Sequence, residues 1–161
     1  TAMAQTVVLP GANRPLAFFG FKSADYPSNA RLVIKNVTWR NLDKHLYPNL
    51  KGYQAERNIW QIDNFKFTRA SRLTGNPSHR LEFALSNYSP YSFWKVNFYV
   101  ELFNEEERIG LIFLPEEKFR SQETRQVDVR SFIDDLQVTE VKIYPVVNIF
   151  DPEEYLPAGE D

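Results

Sequence analysis

Trp94-Lys95-Val96-Asn97-Phe98-Tyr99-Val100-Glu101-Leu102 is the stretch that decides the fold. Large apolar side chains stand at every even position, with Lys95, Asn97, Tyr99 and Glu101 between them. A period of two puts Trp94, Val96, Phe98, Val100 and Leu102 on one face of a strand. A run this long predicts the central strand of a sheet.

The same alternation recurs on both sides. Leu81, Phe83 and Leu85 share a parity, as do Val127 with Val129 and Val141 with Ile143. Turn residues separate these runs: Thr74-Gly75-Asn76-Pro77, Asn87-Tyr88-Ser89-Pro90 and Asn104-Glu105-Glu106-Glu107. Strands at near-regular spacing from about residue 59 onward predict a mostly β, antiparallel sandwich. Trp60 and Ile62 share one parity and Phe65 and Phe67 the other, so a bulge is expected between the pairs. Ile109 to Leu114 is apolar on both faces and ends at Pro115. It is either sandwiched between layers or an edge strand that something covers.

Helix signals are short. Pro115 to Phe119 reads as one turn at most, Ser131 to Leu136 as a corner, and Asn41 to Leu50 as room for a turn before Pro48. Asp151-Pro152-Glu153-Glu154 has a capping residue, a proline and an early acid, the pattern of a short helical turn. Leu16 to Phe21 and Leu32 to Trp39 look like further strands. The resulting division is an irregular N-terminal extension over 1–58 packed on the sandwich, the sandwich over 59–150, and a tail over 151–161.

Composition narrows the function classes. The 161 residues suit one core, and 13 Phe, 8 Tyr and 3 Trp fit pleated surfaces better than helices. Net charge is −2 and no three basic residues adjoin, which argues against nucleic acid. With no cysteine there is no disulfide, thiolate nucleophile or Cys-based metal site, a usage that suits the cytosol and the bacterial periplasm equally. No apolar run reaches the roughly 20 residues of a membrane helix, so no membrane insertion is expected of this stretch. The chain opens on Thr1 and reads as a fragment or a processed form, with Thr1-Ala2-Met3 a cloning remnant and an anchor or signal removed.

Chemistry-bearing patterns are few. His45 and His79 stand outside any metal-ligand frame and read as surface or turn residues. The adjacent acids Glu105 to Glu107, Glu116/Glu117, Asp134/Asp135 and Glu153/Glu154 lie in expected turns and suit solvated loops or caps. Neither a metal, a cofactor nor a catalytic residue is assigned. The local feature that stands out is the aromatic stretch Tyr88, Tyr91, Phe93 and Trp94. Rings on a loop anchor a protein partner or stack on sugars; equally, Phe93 and Trp94 can belong to the core while the tyrosines cover the sandwich end. Tyr88, Tyr91 and Phe93 are the candidate partner-binding residues of this loop. Ile112 is the candidate on the two-sided apolar strand, where a free edge accepts a partner strand.

Asn87 and Ser89, the strand ending Val100-Glu101-Leu102-Phe103-Asn104, then Glu107-Arg108-Ile109-Gly110 and Ser121-Gln122-Glu123-Thr124-Arg125-Gln126-Val127 together resemble the FxLYD-type immunoglobulin-like module. Val100, Phe103, Asn104 and Gln122 depart from its Phe, Tyr, Asp and Gly. The end from Val138 to Pro145 also resembles periplasmic domains of bacterial single-span membrane proteins. The resemblance, over about residues 80–145, implies an immunoglobulin-like sandwich outside the cytoplasm, tethered by an N-terminal hydrophobic segment. It implies a non-catalytic interaction or assembly module with a protein partner in the cell envelope. A carbohydrate-binding module using the aromatic loop is the alternative.

Overall fold

A computed structural model describes residues 41–71, 73, 75, 77–131 and 137–157, with isolated positions 8, 11, 13, 15, 31 and 33. The strands expected at Leu16 to Phe21 and Leu32 to Trp39, and nearly all of the corner expected at Ser131 to Leu136, lie outside the described residues. Helix α1 spans Leu50–Arg57. Six strands follow among the described residues: β1 Trp60–Thr68, β2 His79–Asn87, β3 Phe93–Asn104, β4 Glu107–Phe119, β5 Thr124–Ser131 and β6 Glu140–Val146. A short 3-10 turn, Pro152–Glu154, sits where the cap, proline and acid predict it, with the Asp151 carboxylate accepting from the Glu153 N–H.

Two antiparallel three-stranded sheets, ordered β1-β2-β5 and β4-β3-β6, form the sandwich. The expectation of a mostly β sandwich holds, and β3 is the central strand of its sheet. Its inward face carries Val96, Phe98, Val100 and Leu102, which meet Leu81, Phe83 and Leu85 of β2 and Val127 of β5. Burial of large apolar side chains between two pleated faces, at about 25 cal/mol per Å² removed from water, is the main force holding the sheets together.

The bulge expected in β1 is present. The β1–β2 register shifts between Asp63 and Lys66, and Asn64 adopts φ 56°. Asparagine tolerates this left-handed conformation better than most residues. The extra residue brings both parities, Trp60 with Ile62 and Phe65 with Phe67, against the core.

Three expectations are corrected. Trp94 is not a core residue: it is 37% exposed, whereas Phe93 is fully buried. The pleat turns over at the start of β3. Phe93 pairs with Phe119 and both point inward, while Lys118, between the paired Phe119 and Glu117, has φ 50°. Trp94 goes outward, with the Lys118 ammonium 5.6 Å from its ring centroid.

Pro115 neither ends the apolar strand nor starts a helical turn. β4 runs through it to Phe119, with Pro115 opposite Asn97. Among the described residues β4 is an edge strand, where a proline lacks nothing that an outward-facing N–H would give.

His79 is neither a surface nor a turn residue. It opens β2 in a buried position, its ring stacked on Phe67 at 5.5 Å and its Nδ1 accepting from the Ala70 N–H at 3.2 Å.

Phe98→Ala should cost about 3–5 kcal/mol, the range for emptying a large aromatic site in a core. Trp94→Ala should cost less than half of that. Chemical denaturation with matched m-values checks both; equal losses would return Trp94 to the core and overturn this strand parity.

Candidate functional site

One end of the sandwich gathers the loop between β2 and β3 (88–92), the loop between β4 and β5 (120–123), the start of β1, and the stretch after β6. The chain crosses between sheets at both loops, and Asn87 ties the crossings together. Its side chain is fully buried. Its Nδ2 donates to the Tyr91 carbonyl at 2.8 Å and to the Arg120 carbonyl at 2.9 Å. Its Oδ1 accepts from the Ser89 N–H at 3.0 Å and the Ser89 hydroxyl at 2.7 Å. All four hydrogen-bonding positions of the amide are used, as a buried amide requires.

The second loop has its own brace. Arg125 donates to the Glu123 and Glu116 carboxylates, both at 2.8 Å, and to the Glu117 and Lys118 carbonyls. The Glu123 carboxylate also accepts from the Arg120 N–H at 2.7 Å. Burial pushes the Glu123 pKa up, but the Arg125 and Arg120 bonds outweigh it and hold the carboxyl below its ordinary value.

On this braced frame Tyr88 is presented outward, 44% exposed. Its backbone is fixed on both sides: its N–H donates to the Ile59 carbonyl at 2.8 Å, and its carbonyl accepts from the Gln122 amide at 2.9 Å. Ile59, 42% exposed, is its neighbour across the β1–β2 pair. Tyr91 is half-buried instead. The Arg57 guanidinium lies 4.0 Å from its ring centroid, and Tyr155 meets it edge-on at 5.6 Å.

Of the other two candidates, Phe93 is buried in the core and presents nothing to a partner. Ile112 pairs with Val100 and packs on the core, so its side chain is not on the outward face of β4. Phe93 therefore leaves the candidate surface, which keeps Tyr88, adds Ile59, and holds Tyr91 behind Arg57, while Ile112 stays apart from it on β4, an edge strand among the described residues. Ile59 becomes legible only once the register pairs Trp60 with Asn87, since nothing local marks it.

A second aromatic group backs this end. Tyr53 of α1 stacks on Phe150 at 5.4 Å, with Tyr47 edge-on to both. The hydroxyls of Tyr53 and Tyr155 both donate to the Ile149 carbonyl, at 3.0 and 2.6 Å. Burial raises the pKa of each phenol, with Tyr155 shifted far above its ordinary value. The stretch after β6 is strapped to β3 by the Phe93–Tyr155 bridge and the bond from the Leu156 N–H to the Ser92 carbonyl, 3.0 Å. Among the described residues no three His, Asp or Glu side chains converge as metal ligands.

Asn87→Ala should cost at least about 2 kcal/mol, because it removes all four hydrogen bonds of a buried amide and leaves the Tyr91 and Arg120 carbonyls only their longer bonds, from the Ser89 hydroxyl at 3.2 Å and the Glu123 N–H at 3.4 Å. Asn87→Asp should be no better, since a carboxylate oxygen would face the Tyr91 and Arg120 carbonyls. Thermal or urea unfolding reads both, and a well-tolerated Asp would show that the amide is not the clamp. A phenol whose pKa is raised by folding contributes stability that is complete below the unfolded value of about 10 and is lost as pH rises toward the folded one. The melting temperature should therefore fall above about pH 10, and fall less steeply in Tyr155→Phe. Parallel slopes would exclude Tyr155 as the source.

Comparison with family models, curated proteins and solved structures returns no match.

Proposed function

We propose that this chain is a non-catalytic protein-interaction or assembly module of the bacterial cell envelope, and that Tyr88 with Ile59 anchors the partner. The observation that carries this reading is an exposed aromatic ring whose backbone N–H and carbonyl are both hydrogen-bonded, next to the buried Asn87–Ser89 turn. A rigid ring loses little conformational freedom on binding, and such anchors dominate the energy of protein interfaces.

The finer assignment of the sandwich as immunoglobulin-like draws support from strand order. With β1 to β6 read as A, B, C, C′, E and F, the sheets become A-B-E and C′-C-F, the pairing of that Greek key. The envelope compartment and a membrane tether rest on the sequence resemblance to periplasmic single-span proteins. Fractionation of cells carrying the natural gene tests them, with recovery in the cytosol the opposing result.

A second reading, carbohydrate binding, is favoured by the outward Trp94 ring, since sugars stack on exposed rings. Tyr88→Ala combined with Ile59→Ser should abolish cross-linking to the envelope partner while changing stability by no more than about 0.5 kcal/mol per site, as surface substitutions do. Undiminished cross-linking would defeat the interaction reading. Glycan-array binding lost on Trp94→Ala would replace it with the second.

A further inference from the structure

We propose that α1 is a latch: it opens while the sandwich stays folded, and in its closed state it covers the Tyr91 ring. This conformational inference stands independently of the interaction reading and adds a control to the same end of the molecule. α1 has eight residues, none of them buried, and an isolated helix of that length has no stability of its own in water. Among the described residues no backbone hydrogen bond joins it to another element. It is held by the Tyr53 stack on Phe150, the Tyr53 hydroxyl bond to the Ile149 carbonyl, and the Arg57 guanidinium over Tyr91.

Closing the latch also has a cost. Gln54 Nε2, Arg57 Nε and Asn58 Oδ1 are buried without a hydrogen-bond partner, three of the five such side-chain atoms among the described residues, and all at the C-terminal end of α1. Each regains a partner from water when α1 lifts away, so docking is opposed by the element's own polar groups. The guanidinium is caught between two rings, 3.5 Å from the Tyr53 centroid and 4.0 Å from that of Tyr91. The first of these contacts lies within α1; the second is the one by which the closed latch covers Tyr91. Opening releases a second ring three residues from Tyr88, on the loop that the Asn87 clamp keeps rigid.

Native-state hydrogen exchange on the full chain tests this, because local opening and global unfolding give separate protection levels. The amides of α1 should exchange at least about 100-fold faster than those of β2 and β3. Arg57→Ala should speed α1 at least about 5-fold further while the β2 and β3 amides change less than about 2-fold. Tyr53→Phe, which keeps the stack and removes one hydroxyl, should move α1 the same way by a smaller factor. Exchange of α1 in step with β3 would overturn the latch, as would a variant that speeds all elements alike. Neither outcome bears on whether Tyr88 anchors a partner, so the two readings fail separately.

Discussion

A two-sheet sandwich made by one chain must cross from sheet to sheet, and the crossings are where its backbone groups have no ladder to join. Here the chain leaves β2 for β3 through residues 88–92 and leaves β4 for β5 through residues 120–123. The Asn87 amide answers both needs at once. Its two N–H groups bond one carbonyl in each crossing, Tyr91 in the first and Arg120 in the second, and its oxygen folds the Ser89 turn onto itself. A buried carbonyl left alone is strongly unfavourable, so the two loops cannot drift apart without losing a shared partner. The alignment of Phe93 with Phe119, the last large pair before the loops, follows from that closure.

The consequence for function is mechanical. Loops that carry exposed rings are ordinarily the softest parts of a domain, and a soft anchor loses to ordering entropy much of what its contacts provide. Tyr88 escapes this because the residue before it is the clamp, and its own N–H and carbonyl are bonded to Ile59 and Gln122. Arg125 extends the same rigidity to the other loop by fastening the end of β4 through two backbone carbonyls and two carboxylates. Most of that polar network serves to hold the loops in position.

Legibility in the sequence tracked how local each cause is. The alternation in β3 from Val96 onward and the parity change in β1 are dictated by residues within one strand, and both appear where periodicity puts them. Trp94 misled because its parity is continuous with Val96 while the pleat reverses opposite Lys118 on a different strand. Pro115 misled because a proline stops a central strand but not an edge, and edge position depends on sheet order. His79 looked like a turn residue because its partner, Phe67, is on the far side of a hairpin. The aromatic loop was legible as a feature, yet the sorting of its rings into exposed Tyr88, covered Tyr91 and buried Phe93 needed Arg57 and Tyr155, which no local pattern joins to it.

Two tiers of cohesion result. The inner tier is apolar and paired on both faces of its central strands: Phe98 and Val100 move only if β2, β4 and β6 move with them. The outer tier is the short helix α1, joined to the rest through the Tyr53 ring face, its hydroxyl bond to the Ile149 carbonyl and the Arg57 guanidinium over Tyr91, with several polar atoms left unpaired. Ring stacks and single hydrogen bonds contribute on the order of 1 kcal/mol each, against the several kcal/mol of a core aromatic. The outer tier can therefore rearrange at a free energy well below that of unfolding. It lies against the one loop region whose rigidity the Asn87 clamp guarantees, so a change in the helix alters what that loop displays without altering its shape.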